Sequence, residues 1–401
     1  MVNWDIVSII VFYSILFIFF LKHRNKFTIQ AKIFALYKTK IGIKLMDKIA
    51  GIWPRALKFI ARIGVYIGFL GMAFILYFLI KETIKLIFVP GTPPALAPVL
   101  PGISIPGAPT LSFWHWVITI FIAATIHEFS HGVVARLNKI PVKSSGFAFL
   151  GPILAAFVEP EEKSLQKKKQ IDQMSVFAAG PFSNIVLGIV ILLFLSFILA
   201  PTVGNLYNGT GIDVQEVVDG YPMAGVDIEA PFLITQINGQ DSLNTVQFSD
   251  AIGKIVPGDT VTLLTDKGEY SVVATSNPDD ESKGFIGISG LTQQTELKEQ
   301  YAGLDWLSSI LQWFQLLFIW LFIINIGIGL FNLLPLGPVD GGRMFYSLAL
   351  VVFKNKAKAN KALGIMSLIV LALIVIQLIP WLSKLFSWVW GGLLLLIALL
   401  I

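Results

Sequence analysis

The sequence predicts a polytopic α-helical membrane protein with six to seven transmembrane helices and an inserted small, β-rich soluble domain. Of its 401 residues, 55% are hydrophobic and only 14% are charged, whereas a soluble domain carries ~25% charged residues. The apolar residues gather into runs of about 20, the length needed to cross ~30 Å of hydrocarbon as a helix. One acidic stretch of strand-like sequence interrupts these runs.

The apolar runs and the basic loops between them predict the topology. Lys and Arg are dense in residues 22–62, 137–174 and 354–361, which indicates the cytoplasmic side. Inside and outside then alternate without conflict, with the N-terminus outside. No cationic region precedes the first run, so we expect an uncleaved anchor rather than a signal peptide. The predicted spans are 5–21, 60–80, 113–136, 175–199, 304–334 and 362–380, while 385–401 forms a seventh span or lies along the membrane.

The acidic stretch differs from the rest of the chain. Residues 201–300 contain 15 Asp/Glu and 4 Lys, a net charge of −11, against +16 for the remaining residues. Gly, Pro and Asp punctuate alternating Val, Ile and Thr segments, which indicates a soluble, strand-rich domain on the outer side. The basic residues elsewhere flank apolar runs, so they reflect membrane topology and we expect no nucleic-acid partner.

These observations divide the chain into five parts. Prolines and glycines in the loop 86–112 exclude a regular helix there, which leaves an outer loop or a re-entrant cap. The chain has no cysteine, which excludes disulfides, thiol catalysis and cysteine-ligated metals. The parts are N-terminal helices and the outer loop (1–112), the first half of a membrane core (113–200), the soluble domain (201–295), the second half of the core (304–345) and C-terminal helices (346–401).

Three residues of the third apolar run have the spacing of a metal site. His127 and His131, in HEFSH, are four residues apart, so both lie on one helix face and can reach one metal ion. Glu128 lies beside that ion and can take a proton from activated water. Such residues are costly in mid-membrane unless they are paired, liganded or wet. The other histidines, His115 and His23, are expected at the interface and in the cytoplasmic loop.

The expected third ligand is Asp340, in the segment NLLPLGPVDGG. A catalytic zinc takes three protein ligands and keeps one position open. Proline and glycine break the fifth span here, and broken backbone at membrane depth is tolerated only inside protein or along a wet cavity. The third and fifth spans both run inward, so His127, roughly 14 Å from the cytoplasmic end, and Asp340 can meet on one side. We expect one Zn²⁺ per chain.

HEFSH in one span and NLLPLGPVDGG in a later one closely resemble the site-2 protease family of intramembrane zinc metalloproteases. AAGPFSN, which ends at Asn184, resembles a third signature of this family. The resemblance covers about 113–200 and 304–345. It implies Glu128 as the catalytic acid/base, and Asn332 and Asn184 at the substrate carbonyl or oxyanion. The implied zinc ligands are His127, His131 and Asp340.

By resemblance, the chain is an endopeptidase that cleaves membrane proteins within or near the bilayer, in regulated intramembrane proteolysis. The implied substrate is a single-span membrane protein that another protease has already trimmed, and zinc-activated water attacks its scissile carbonyl. The loop 142–160, with Gly146, Gly151 and Pro152, would be a membrane-dipping β-hairpin whose edge holds the substrate in extended form. An ordinary surface hairpin is the alternative.

The acidic domain resembles a PDZ domain, which many members of this family carry. The supporting segments are GYPMAG at 220–225, LITQING at 233–239 and VPGD at 256–259. Residues 208–212, which include Gly211 and Ile212, are expected to supply the loop that receives a peptide C-terminus, because PDZ domains add a peptide as an extra strand. The domain would filter or bind substrates from outside the cytoplasm. A strand-rich spacer is the alternative.

Two other functions fit parts of the pattern. A metal or ion transporter also places His and Asp in mid-membrane, but it predicts polar residues along several spans and repeated halves. A catalytically inactive relative that acts as a scaffold would have lost Glu128 or a ligand, and all four residues are present. An embedded metalloprotease with its active site toward the cytoplasm therefore remains the main expectation.

Overall fold

The structure is a computed structural model that describes residues 4–30, 34–103, 105, 107–150, 153–278 and 280–400. The chain divides into two compact units, Met1–Leu195 with Leu316–Ile401, and Ser196–Gln315. Within the described residues, six helices are long and apolar enough to cross a membrane. These features confirm the predicted fold class, a polytopic helical membrane protein with an inserted β-rich domain.

The first unit begins with a helix, a hairpin of strands and a short helix that leads into a long one. Helix α1 is followed by strands β1 and β2, which lie in the basic region where the sequence predicts only a cytoplasmic loop. Short helix α2 then precedes α3, whose first residue is Pro54, a favourable first position for a helix. The bounds are α1 Trp4–His23, β1 Phe27–Gln30, β2 Phe34–Thr39, α2 Ile43–Ile52 and α3 Pro54–Phe88.

Helix α4 (Phe113–Leu137) follows, and the Ser112 side chain caps it by accepting a bond from the His115 backbone N–H. The predicted hairpin is present as β3 (Val142–Leu150) and β4 (Ile153–Pro160), while Gly151 and Pro152 lie outside the described residues. Strands β1 and β2 extend it into a four-stranded antiparallel sheet of order β1-β2-β3-β4. Strand β4 is therefore an edge strand of that sheet.

The rest of the first unit closes the helical core. Helix α6 contains Pro181, and α9 ends at Asn332, directly before the proline-rich break. Helix α11 is continuous through Pro380, so the predicted separate seventh span is part of one long helix. The bounds of these helices are α5 Glu162–Gln166, α6 Gln170–Phe194, α9 Asp305–Asn332, α10 Asp340–Phe353 and α11 Lys356–Leu400. Two short helices between α6 and α9, α7 Ala200–Gly204 and α8 Thr245–Ile252, belong to the second unit.

Helix α3 packs closely against the break between α9 and α10. A Cβ on Gly68 would lie 2.7 Å from Met344 Cε, and one on Gly71 would lie 2.6 Å from Leu333 Cδ1. Small residues of this kind let helices approach each other in a bilayer. Leu333 and Met344 are fully buried in the same apolar cluster, so α3 holds the segment on either side of Asp340 in place.

The segment between α3 and α4 has no helix or strand in its described residues 89–103, 105 and 107–112. Side chains of the spanning helices hold its backbone. Gln377 on α11 accepts a bond from Ala95 N at 2.7 Å, and Trp116 on α4 donates to Val99 O at 2.8 Å. These bonds satisfy backbone groups that proline-rich sequence leaves without regular partners, which fits the expected outer loop or cap.

The second unit is a small sheet domain. Its main sheet has the order β10-β9-β7-β5-β14, with β8 paired to β7, and its core packs around Val214, Phe232 and Leu263. Helix α8 begins at an Asn244 cap. The strands are β5 Tyr207–Val214, β6 Glu216–Val217, β7 Phe232–Ile237, β8 Gln240–Asp241, β9 Thr260–Thr265, β10 Gly268–Val273, β11 Thr275–Asn277, β12 Asp280–Phe285, β13 Ile288–Ser289 and β14 Thr292–Leu297.

Candidate metal centre

The structure brings the three expected ligands together. Nε2 of His127 lies 3.1 Å from Asp340 Oδ2, and Nε2 of His131 lies 3.2 Å from the same oxygen. One ligand atom from each residue lies within 4.8 Å of the others. Ligand atoms that share a tetrahedral zinc at ~2.0–2.1 Å are roughly 3.3 Å apart. The three residues, called the metal cluster below, therefore fit a zinc ion by chemistry and by spacing.

Local sequence explains how Asp340 reaches the two histidines. Helix α9 ends at Asn332, and Asp340 opens α10 after the short break. A carboxylate in the first helical turn interacts favourably with the positive end of the helix dipole. A Cβ on Gly341 would collide with the carbonyl of Leu333, and one on Gly342 with that of Leu336. Only glycine lets the chain turn this tightly after the break.

Two positions on α6, Val176 and Gly180, lie against the rings of the two histidines. His131 Nδ1 lies 2.7 Å from the carbonyl oxygen of Val176, and a neutral ring that donates this bond presents Nε2 to the metal cluster. A Cβ on Gly180 would lie 2.6 Å from His127 Nε2 and nearer still to His131 Nε2. Position 180 in the AAGPFSN segment therefore requires glycine, because the histidine rings occupy the space that a side chain would need.

Glu128 lies in the same cavity as the metal cluster and contacts the edge strand. Its Oε2 accepts a hydrogen bond from the backbone N–H of Val158 on β4, at 3.0 Å. A single bond to one oxygen leaves the other oxygen of the carboxylate with its full capacity to accept. Sequence reasoning missed this contact, because it joins a side chain to a backbone group 30 residues away.

Asn332 and Asn184 have different surroundings. Asn332 lines the cavity of the metal cluster. Its Nδ2 donates to Ile328 O at 3.0 Å, which uses one of two amide hydrogens. Asn184 is fully buried, and neither amide atom has a hydrogen-bond partner among the described residues. Its amide lies within helix packing in this conformation, so contact between Asn184 and a substrate stays a prediction.

The cavity has a volume of about 300 Å³ and includes further charged groups in its lining. Glu162 of α5 and Arg343 of α10 line it together with the metal cluster, and the Arg343 guanidinium lies 5.5 Å from the centre of the Phe177 ring. His115 is 2% exposed in the first turn of α4 and is not part of the metal cluster.

The structure places Gly211 and Ile212 in a strand rather than in an open loop. Both lie within β5, which pairs with β7 on one edge and with β14 on the other. A peptide could add to β5 only by displacing one of these strands. Peptide capture by these two residues stays a prediction that the backbone pairing does not support.

Spanning helices, an HExxH motif on one of them and a carboxylate as the third ligand are the features of a membrane-embedded zinc metalloprotease. The comparison with known protein families supports this class. The family described as Peptidase family M50 matches residues 115–377, which is more than half of the 401 residues, so the chain belongs to that family. The expected site-2 protease family and the expected enzyme class are thereby confirmed.

Two individual relatives match most of the chain. An uncharacterised protein of Methanocaldococcus jannaschii is 28% identical over 348 residues, which cover 83% of this chain and 82% of that protein. The zinc metalloprotease RasP of Shouchella clausii is 24% identical over 299 residues, which cover 63% of this chain and 69% of that protein.

Solved PDZ domains match part of the chain. The PDZ domain of an SdrC-like protein from Listeria innocua is 33% identical, with a TM-score of 0.18, over 20% of this chain and 91% of that domain. The PDZ domain of an SdrC-like protein from Listeria monocytogenes is 30% identical, with a TM-score of 0.19, over 21% of this chain and 88% of that domain.

Proposed function

We propose that this zinc metalloprotease is an endopeptidase that cleaves single-span membrane proteins, already trimmed by another protease, within or near the bilayer. The observation that carries the proposal is one cavity that contains His127, His131, Asp340 and Glu128, with both histidines on a spanning helix. Charged and polar groups are costly at that depth unless they bind a metal or serve chemistry.

The residues of the cavity have separate roles in the proposed reaction. We assign His127, His131 and Asp340 to holding one zinc ion, which when bound supplies Lewis-acid activation of water and of the scissile carbonyl. Glu128 takes the proton of the attacking water on its free carboxylate oxygen and later gives a proton to the leaving amine. Val158 N–H holds the other oxygen. The second amide hydrogen of Asn332 is available to the developing oxyanion.

Strand β4 has an edge with which an unwound segment of the substrate can pair. The N–H of Val158 faces α4 rather than β3, and backbone groups of residues two apart face the same side of a strand. Ala156 and Leu154 therefore present N–H and C=O groups along the free edge of β4. A locally unwound substrate that pairs with this edge keeps its backbone hydrogen-bonded at membrane depth and approaches Glu128 in extended form.

The loops and the inserted domain suggest how the enzyme lies in the membrane. The distribution of basic segments supports a metal cluster toward the cytoplasm and an acidic PDZ-like domain outside the cytoplasm. There the domain would act as a size filter or would bind substrate tails. The bilayer and the membrane-protein substrate are the partners that this arrangement requires.

The decisive experiment is cleavage of a tagged single-span protein by the purified chain in detergent, with bound metal measured in parallel. Glu128→Gln should lower the cleavage rate by about 10²–10⁴-fold while the variant still holds one zinc per chain. A chelator should abolish cleavage by the unchanged protein. Asp47→Asn, a carboxylate on α2 outside the cavity, is the control and should cleave normally. Unchanged cleavage by Glu128→Gln would refute the assigned mechanism.

A further inference from the structure

A second cavity lies on the face of α4 that points away from the metal cluster. It has a volume of about 410 Å³ and is lined by residues of α2, α3, α4 and α6. We call it the rear groove. Its lining side chains are apolar apart from those of Ser130 and Ser183.

The two hydroxyl groups in the rear groove are already satisfied. Ser130 donates to Ile126 O at 2.8 Å, and Ser183 donates to Gly180 O at 2.8 Å, each within its own helix. An occupant therefore finds apolar surface and no free donor along the walls. Ile60, Val186 and Val190 are 45%, 41% and 54% exposed and belong to spanning helices, so the groove opens to the bilayer.

The shape of the rear groove suits one hydrocarbon chain. On α4 it extends from Phe129 to Leu137, roughly 12 Å along the helix axis, and on α6 from Ala179 to Val190, roughly 16 Å. It is therefore long and follows the direction of the helices. A cavity of a few hundred cubic ångströms is within the range of ligand sites.

Exposed cations lie close in sequence to the residues that line one end of the rear groove. Ile49 of α2 and Leu57 of α3 line this end, and the neighbouring Lys44, Lys48 and Arg55 are exposed. In the described residues, none of these three cations forms an ion pair with a carboxylate. The carboxylates nearest in this region are engaged: Asp47 pairs with Arg136, and Asp172 lies 4.0 Å from Lys58. The end therefore carries uncompensated positive charge.

We propose that the rear groove binds one acyl chain of an anionic phospholipid whose phosphate is held by Lys44 and Lys48. Basic pockets between transmembrane helices are a recurring setting for anionic headgroups, and an amphipathic helix such as α2 lies naturally in the headgroup layer. Cations at one end of an apolar groove match a phospholipid, which joins an anionic headgroup to hydrocarbon chains, better than they match an apolar transmembrane segment. The proposal requires only that the chain is embedded in a membrane, and it does not depend on the cleavage reaction.

The lipid would lie directly behind the metal cluster. On α4, Phe129 and Val133 line the groove and alternate with the two histidines of the metal cluster. On α6, Ala179 lines the groove, and the next residue, Gly180, contacts the histidine rings. An occupied groove would brace α4 against α6. Removal of the lipid is therefore expected to loosen the two helices that position the metal cluster.

The test counts lipids on the full-length protein by native mass spectrometry after extraction from vesicles of phosphatidylcholine with phosphatidylglycerol. Val186→Trp fills the rear groove from its exposed side and should remove one retained phosphatidylglycerol per chain. Ile189→Trp places the same ring on the same helix, at a position that is 48% exposed and outside the groove, and should change nothing. Lys44→Glu with Lys48→Glu should abolish the preference for phosphatidylglycerol over phosphatidylcholine, whereas Lys356→Glu with Lys361→Glu on α11 should keep it.

Three results would overturn the proposal. The first is a protein that retains no phosphatidylglycerol above its share in the vesicle. The second is equal lipid loss in Val186→Trp and Ile189→Trp, which would mean an unspecific annulus. The third is an unchanged lipid count in Val186→Trp together with a new oligomeric state or slower cleavage, which would assign the groove to a second copy or to a substrate helix.

Discussion

The two faces of α4 line cavities of comparable size with opposite chemistry. One face carries His127, Glu128 and His131 into a cavity of about 300 Å³ that also contains Asp340. The other carries Phe129 and Val133 into the rear groove of about 410 Å³. A single helix separates them. The volume of a cavity therefore says little about its function. Ionisable groups at this depth say more, because burying them is costly unless they are paired, bind a metal or contact water.

The helix repeat explains how one segment serves both cavities. Residues four apart share a face, so the two histidines align, and Phe129 and Val133 align about half a turn away. Substitutions on one face should therefore alter metal binding and catalysis, while neighbouring substitutions on the other face should alter packing or lipid binding. The largest expected effects belong to the metal face.

Asp340→Ala should remove the third ligand of the zinc and leave two histidines without their carboxylate partner. We expect the bound zinc to fall from one per chain to nearly none, with cleavage below detection, because two imidazoles alone make an incomplete site. Metal analysis of the purified variant measures this. Asp47→Ala removes a carboxylate that pairs with Arg136 at the other side of α4 and should retain zinc. Full zinc content in Asp340→Ala would show that another residue completes the site.

Gly180→Ala should disturb the metal cluster without touching a ligand. The added Cβ would lie 2.6 Å from His127 Nε2, so both histidine rings must move. Changes that misorient metal-ligating histidines typically cost about 10–100-fold in metal affinity, and competition with a chromogenic chelator measures that loss. Ala179→Gly, one residue away and facing the rear groove, should cost only about 1 kcal/mol of helix stability. Equal zinc affinities in the two variants would contradict the tight fit.

Ala156→Pro tests the edge of β4. The N–H of Ala156 faces the free edge, and proline is tolerated at edge positions whose N–H is not used within the sheet. Loss of one hydrogen bond to the substrate strand should raise KM by roughly fivefold, or about 1 kcal/mol, with little change in kcat. Ala156→Val keeps the N–H and is the matched control. A Pro variant with an unchanged KM would mean that substrates do not pair with this edge.

The sequence predicted those parts of the molecule that short-range patterns encode. Runs of about 20 apolar residues locate the spans, and the i, i+4 histidines locate the metal site, because both patterns are properties of one helix. Asp340 was found from a later segment because proline and glycine mark a break where α9 ends. Helix α11 passes through Pro380 without a break, since proline within a spanning helix is tolerated when neighbouring groups compensate.

The missed features depend on contacts between distant segments. Strands β1 and β2 are four and six residues long and lie in basic sequence, and they become strands by pairing with the hairpin. The bond from Val158 N–H to Glu128 involves a backbone group that has no sequence signature. Burial of Asn184 and the pairing of Gly211 with β14 are likewise results of packing rather than of local pattern.

The smallest effect is expected from a substitution where the N-terminal strands join the hairpin. Lys38 on β2 donates to Glu159 on β4 at 2.8 Å, and Ser144 donates to the same oxygen at 2.5 Å. These bonds hold the pKa of the Glu159 carboxyl below its usual value. A lowered pKa contributes stability that is present above the usual value and is lost as the pH falls through the lowered one.

Lys38→Met should therefore weaken the sheet at neutral pH and leave it unchanged at a pH where Glu159 is protonated. Both side chains are partly exposed, so the loss should be at most about 1 kcal/mol. Hydrogen exchange at the amides of β2, compared at pH 7 and under acid conditions, measures this loss of stability. The control is Lys26→Met, because Lys26 precedes β1. A difference between Lys38→Met and the unchanged protein that persisted in acid would mean that the lysine stabilises the sheet through its hydrocarbon stem rather than through its charge.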